Sequence, residues 1–438
     1  MEQYVSVDYY DEFQTPLISD EGGRVSVFII FLVPFIITAI SVTYVRGLNY
    51  VVVGLGVICS IAYLVASIRG TFVLPKEVMF FLALVVWSCF GIFVAKAPSL
   101  HYQGLFTFFQ FLVMITIIAH YSNNVKMIRI LLFSVVIGAA IVGTECVITG
   151  EYQRAEYGPD IERARAMAMN ANVFAIMLVY TAMILFYFLD TWKSWIMKAA
   201  AIGMILFLSL FVIASGSRVG FVSFVLLLPT WFFISYRKEI LKRPGAFILT
   251  LAVVIIVSGF LFSRVAGTRM QRRMVEMSEA RETGGGGGSI QARTLMIKEA
   301  FAIITSHPLL GVGLNHFRFY SSTGMYSHNN YTEVFCNIGI PGGIFYYSVL
   351  IVLWLRLRWL SKLSLEDKVR KFVNMAKTFV IIQLVSDMAH VSHSIKFSWI
   401  VAAILIGFSY QLEQKIKGRM LTGYHESADE YQLQPECY

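Results

Sequence analysis

Apolar runs of about twenty residues recur along this chain, and each is long enough to cross the hydrocarbon core of a bilayer as a helix. They lie near 25–45, 49–68, 77–95, 103–121, 128–148 and 171–190. Six more lie near 196–214, 218–235, 246–263, 334–355, 372–392 and 397–413. Inside lipid no water satisfies a backbone N–H or C=O, so a spanning segment must close its own hydrogen bonds as a helix. Composition agrees. Hydrophobic residues fill 57% of the 438 positions and charged residues only 14%, well below the roughly 25% with which a soluble domain wets its surface. The expected fold class is therefore an all-α polytopic membrane protein of about twelve transmembrane helices.

Basic residues in the short loops set the orientation. With both termini in the cytoplasm, the inner loops hold Arg69, Lys76, Lys126, Arg129, Lys193, Lys198, Arg237, Lys238, Lys242 and Arg243. The loop from Arg356 to Lys371 and the residues Lys415, Lys417 and Arg419 add more. That is roughly nineteen basic residues inside against about seven in the short outer loops, the usual cytoplasmic bias. The organisation that follows is a cytoplasmic tail over 1–24, spans one to nine over 25–263 and an extracytoplasmic loop over 264–333. Spans ten to twelve over 334–413 and a cytoplasmic tail over 414–438 complete it. The net charge of +9 is then the charge of a membrane protein beside anionic lipid, and no nucleic-acid partner is needed. Residues 1–23 are acidic and polar and lack the basic start and short apolar core of a cleavable signal, so insertion is expected to rest on the first span. Cys59, Cys89, Cys146 and Cys336 lie in or beside apolar runs without metal-ligand spacing and read as small buried apolar residues.

On the outer side the basic residues are nearly all arginine, among them Arg163, Arg165, Arg218, Arg293 and Arg318. A guanidinium grips phosphate oxygens with a planar fork that lysine lacks. For Arg264 to Arg281 the simpler account is snorkelling at the interface and solvation of a loop. Arg218 differs, because it follows Ser215-Gly216-Ser217 between two strongly apolar runs, where an ionisable side chain is costly and points to function. Within the long loop, Gly284 to Gly288 form a linker that cannot hold a helix. Beyond it Ala292, Met296, Ala300, Ile303 and Ile304 recur at helical spacing, so a helix is expected over 290–305. His307 to Gly313 read as a helix stop and a glycine-rich turn. In Ser327-His328-Asn329-Asn330-Tyr331-Thr332-Glu333 a histidine stands beside two amides and a carboxylate just above a span, suited to proton transfer near neutral pH or to a structural place at the interface.

Taken in order, Ser215-Gly216-Ser217-Arg218, Arg293, His307 to Gly313, Ser327 to Val334 and Gly339 to Gly343 resemble the bacterial O-antigen ligase and O-antigen polymerase family. Arg163 to Asn172 are similar to a weaker feature of the same family. The resemblance covers roughly 150–395. It implies a GT-C-like, metal-independent, inverting glycosyltransferase that moves saccharide from an undecaprenyl-diphosphate carrier to an acceptor hydroxyl. No cofactor is implied. His328 would be the general base, with Arg218 and Arg293 binding the diphosphate. Arg163, Arg165, Asn329, Asn330, Glu333 and Asp387 would contact substrate. Its membrane would be the bacterial inner (plasma) membrane, and its partners a lipid-linked saccharide donor, a lipid-linked or lipid A core acceptor, and other members of a polysaccharide export pathway. Polymerisation of surface-polysaccharide repeat units leads, ahead of ligation to lipid A core and of transfer to protein. A lipid-linked saccharide flippase is the reading from another class. Independently of the resemblance, the turn Arg46-Gly47-Leu48-Asn49 carries no acid, so no carboxylate cage for Mg or Mn is evident there.

Overall fold

In the computed structural model the regular elements are helices, with no strand among the described residues. These residues are 28–67 without 43, 44, 46 and 47; 74–150; 169–245 without 243; 248 and 252; 288–363; and 365–432. Eight helices come first: α1 (Ile29–Ser41), α2 (Asn49–Ser67), α3 (Lys76–Cys89), α4 (Pro98–Tyr121), α5 (Val125–Thr149), α6 (Ala171–Thr191), α7 (Trp195–Ala214) and α8 (Arg218–Lys242). Then follow α9 (Gly288–Ser306), α10 (Asn330–Leu360), α11 (Asp367–Asp387) and α12 (Lys396–Gln432).

Every expected span except 246–263 falls on one of these helices; that span lies almost wholly outside the described residues. Seven of the helices are long and apolar enough to cross a membrane. Four expected spans are not among the seven: α1 and α2 are apolar but shorter, and α11 and α12 are the other two. The reason in α11 is visible: Asn374, Thr378, Gln383, Ser386 and Asp387 are buried, so its polar groups face protein rather than lipid. The loop helix α9 begins at Gly288 and ends at Ser306, close to the expected 290–305, although Gly288 itself is helical against expectation.

Local sequence explains the ends. Pro98 opens α4 at its first turn, where its missing N–H costs nothing. The Asn124 side chain accepts from the Met127 N–H to start α5, and Gly150 stops that helix at φ 64°, the left-handed cap that glycine adopts without strain. Position in the bundle follows exposure. The apolar window of α6 is 89% buried and that of α7 only 22%, so α6 threads the interior while α7 faces lipid. Of the cysteines, Cys59, Cys146 and Cys336 are buried as expected, whereas Cys89 is exposed on the outside of α3.

The two ends of the bundle differ. At one end the buried Arg356 of α10 binds both oxygens of the fully buried Glu77 of α3, with Nη2 2.8 Å from Oε2. Its Nε donates to Glu413 of α12 at 2.7 Å, and Lys417 pairs with the same carboxylate at 2.6 Å. These charges cancel and join three helices. Removing one partner of a buried pair strands the other charge, at a cost of about 3–5 kcal/mol. Arg356→Met is accordingly expected to lower the thermal unfolding temperature sharply in detergent, read by the loss of a monodisperse gel-filtration peak after heating. Lys371, which donates to Asp190 O at 2.8 Å, and the other described basic residues of the inner short loops gather at this end too.

The opposite end carries α9 and the polar segments around it. Here α10 is broken: Gly339 has φ 71° and ψ 179°, a conformation essentially confined to glycine. The break frees carbonyls that a helix would normally use, and other parts of the chain take them. Val312 N–H donates to Cys336 O and Gly313 N–H to Asn337 O, both at 2.9 Å, and Ile340 N–H donates to Pro308 O at 2.8 Å. Trp87 Nε1 donates to Ile338 O at 3.0 Å. The turn after His307 is thus the missing half of the α10 hydrogen-bond ladder. A separate apolar cluster of Met296, Ala300, Ile303, Val312, Phe317 and Cys336 clamps α9 onto it.

Candidate active site

At the α9 end the start of α6, the loop after α9, the start of α10 and the turn joining α11 to α12 surround a polar cleft of about 240 Å³. Asn170 lines it from the start of α6, Asn315 and Arg318 from the loop after α9, and Glu333 from α10. His390 and His393 line it from the turn joining α11 to α12.

His328 stands at the entrance to α10 with φ 55°, and Asn315 has φ 60°. They are the two non-glycine residues with positive φ among those described, a conformation that is uncommon and costs free energy. The surroundings of His328 hold that conformation. The Ser327 N–H donates to Glu333 Oε2 at 2.7 Å, and the Ser327 hydroxyl donates to Asn329 O at 2.8 Å. Asn329 Oδ1 caps α10 through the Thr332 N–H at 3.2 Å, while its Nδ2 donates to Met388 O at 3.0 Å. Glu333 in turn accepts from Asn337 Nδ2 at 3.1 Å. The imidazole, half-exposed, packs beside Tyr326 with ring centroids 4.3 Å apart.

Arg293 of α9 and His328, distant in sequence, both act electrostatically on His390. His390 is buried, and its Nε2 has no hydrogen-bond partner among the described residues. Burial first, then the positive charges of His328, His393 and Arg293, push the His390 imidazole down to about 4. Burial pushes His393 down to about 4 as well. Both rings are therefore neutral at physiological pH, and the cationic groups at this end are arginine and lysine side chains, among them Arg318, Lys96 and Lys396. Arg318 adds positive charge opposite Glu333.

Arg218 is the first residue of α8. The turn before it is tied to α6: Ser217 Oγ donates to Asn172 Oδ1 at 2.8 Å and accepts from the Gly220 N–H at 3.1 Å. A Cβ on Gly220 would meet Ala175 at 2.3 Å, so only glycine lets α8 approach α6 this closely. Arg218 thereby sits beside the α6 start, whose capping residue Asn170 lines the cleft.

Two expected substrate contacts make internal hydrogen bonds in this structure. Asn330 is buried, and its Nδ2 donates to Asp387 Oδ2 at 3.1 Å and to the Tyr346 and Tyr347 hydroxyls at 3.2 Å. Its Oδ1 accepts the N–H groups of Ser392 at 3.0 Å and His393 at 2.9 Å. Asp387 also accepts from Gln383 Nε2 at 2.6 Å and from the Ser392 hydroxyl at 2.5 Å. The pair fastens the α11–α12 turn, and with it both histidines, to the start of α10. Asn329 and Glu333 likewise spend their hydrogen bonds on the backbone beside His328. Arg163 and Arg165 lie outside the described residues. Sequence reasoning left out Asn315, His390 and His393. Their one signal is the spacing Asp387, His390, His393 just before a span.

Fold and cleft together define a multi-pass α-helical membrane protein with a cation-rich polar site at one end of its bundle. Residues 202–347 match the family model described as O-antigen ligase. The match spans well under half of the chain, from α7 into α10, and takes in Arg218, Arg293, His328, Asn329, Asn330 and Glu333. No curated protein matches the chain.

Proposed function

We propose that the protein is an inverting, metal-independent glycosyltransferase of surface-polysaccharide assembly. It moves saccharide from an undecaprenyl-diphosphate carrier to an acceptor hydroxyl at the extracytoplasmic face, most directly as a polymerase of repeat units. The observation that carries this reading is that Arg293 and His328 both act electrostatically on His390, which lines a polar cleft, and that both lie inside the segment that matches the family model. The basic short loops gather at the far end of the bundle, which supports an outward-facing site.

In the proposed reaction His328 accepts the proton of the acceptor hydroxyl as its oxygen attacks the anomeric carbon. The bond from that carbon to the diphosphate oxygen breaks, with inversion, and undecaprenyl diphosphate leaves with the bonding electrons. Arg218 and Arg293 hold the charge that develops on the departing diphosphate. Fixed donors aimed at developing charge contribute most where water is excluded. Arg163 and Arg165 would assist at the sugar or the diphosphate. The buried Asn330, Asp387 and Glu333 would hold the frame against which substrate binds.

The decisive experiment reconstitutes the chain in liposomes with a lipid-linked repeat unit. Longer lipid-linked saccharides are expected. Transfer only when lipid A core is supplied would replace polymerase by ligase, and movement of the lipid across the bilayer without transfer would overturn the reading in favour of a transporter. Arg218→Lys tests the diphosphate grip. The charge stays but the fork is lost, so transfer should fall about tenfold or more, short of the ~10²–10³ for removing an oxyanion donor outright. Transfer kinetics at the wild-type level in that variant would argue against a bidentate contact.

A further inference from the structure

A second cavity, of about 620 Å³, lies between α1, α2 and α4. Its lining is apolar apart from a few hydroxyls, a thiol and an amide, and Lys396 is its one charged lining residue. The cavity is open along its length: Val53, Val57, Leu64, Phe106 and Phe109 line it and are exposed. In a membrane protein those rims face hydrocarbon.

The direction of the groove follows from its neighbours. Tyr63 packs edge-on against His120 and Tyr121 at the C-terminal end of α4, the end away from the cleft. At the other end of α4, the Leu314 N–H donates to His101 Nδ1 and Asn315 Nδ2 to Leu100 O, and Asn315 lines the cleft. From Val52 to Leu64 along α2 the groove therefore runs about 18 Å from the cleft end inward, at 1.5 Å per residue. Ile395 lines the cleft, and the next residue, Lys396, lines the groove. Consecutive residues thus line the two cavities.

Lys396 is half-buried at the start of α12 and makes no hydrogen bond or ion pair with a described residue. A cation at membrane depth without a counter-ion is costly and favours an anionic ligand. A hydrocarbon slot headed by a single ammonium matches a lipid with one long chain and a phosphate head.

We propose that this groove seats the chain of a polyprenyl phosphate or diphosphate, with the phosphate on the Lys396 ammonium. A saccharide on that lipid then projects past Ile395 into the cleft. Resting on the glycosyltransferase reading, this makes the groove the site of the acceptor, separate from the donor diphosphate at Arg218 and Arg293. It also makes the acceptor itself a lipid-linked saccharide.

The test labels the purified full chain in nanodiscs with a sugar-free polyprenyl diphosphate carrying a diazirine on its chain, followed by peptide mapping. Label is expected on α2 and α4. Lys396→Gln and Val57→Trp should each lower it about fivefold or more, with gel filtration confirming that both fold. Val57 lies on the lipid-facing rim, so the Trp variant fills the slot without disturbing the interior. Arg218→Ala should leave this label unchanged, and excess phosphatidylglycerol should not displace it. Absence of label from α2 and α4, insensitivity to both groove variants, or equal displacement by phosphatidylglycerol overturns the proposal. If labelling behaves as expected while the reconstituted protein transfers no saccharide, the groove stands and the glycosyltransferase reading fails.

Discussion

Replacing His328 by Ala is expected to lower saccharide transfer by about 10²–10⁴-fold, the usual contribution of a positioned acid or base, while the protein still inserts and binds its lipid donor. The backbone makes this a clean experiment when paired with His328→Asn. His328 has φ 55°, which histidine and asparagine tolerate better than most residues. Asn therefore keeps the local conformation but cannot take a proton. Both variants should be inactive, and both should elute as the wild type does. An Asn variant that transfers saccharide at the wild-type rate would remove His328 from the role of base, and an Ala variant that fails to insert would make its role structural. The Ser327 and Asn329 contacts that set this conformation involve backbone atoms and neighbouring side chains, so neither substitution deletes them.

The largest effect on folding is expected at Gly339. A Cβ there would stand 1.9 Å from Leu309 O and 2.4 Å from Leu309 C, and the φ of 71° with ψ of 179° is itself closed to other residues. Gly339→Ala must push the 308–313 turn off α10. That would leave the carbonyls of Cys336 and Asn337 and the N–H of Ile340 without their partners, in a region where water does not replace them. A loss above about 4 kcal/mol follows, in the range reserved for severe core defects, and the variant should be recovered from membranes only as aggregate. Gly324→Ala is the control. Gly324 also has positive φ, at 65°, but nothing lies within 4 Å of its added Cβ. It should cost only about 1 kcal/mol. Equal behaviour of the two variants would show that close approach of the 308–313 turn does not hold the break in place.

These two positions also mark how far the sequence could be read. The long helices were legible because burial in lipid demands apolar residues over a fixed length, and Ala171 to Thr191 or Val125 to Thr149 satisfy that locally. The loop helix α9 was legible from its spacing, since Met296, Ala300 and Ile303 form one buried face. His307 to Gly313 and Gly339 to Gly343 were visible as patterns but not as partners. Their meaning lies in hydrogen bonds between residues 24 to 32 positions apart, which no local periodicity encodes. Asn330 and Asp387 were readable as polar groups near a site. That they face each other and bind the α11–α12 turn depends on how three helices meet.

By itself the sequence determined the helical, membrane-spanning class, the apolar segments and the residue types able to handle a diphosphate and a proton. Those properties are local: hydropathy over a span, the fork of a guanidinium, the basicity of an imidazole. Only the tertiary structure decided which polar residues are spent on holding the frame and which line the cleft. It alone brought Arg293 and His328 within electrostatic reach of His390, and set Lys396 at the head of an apolar groove. The physical reason is that a buried polar group must find its partner in space, and that partner is supplied by whichever helix end the packing brings beside it.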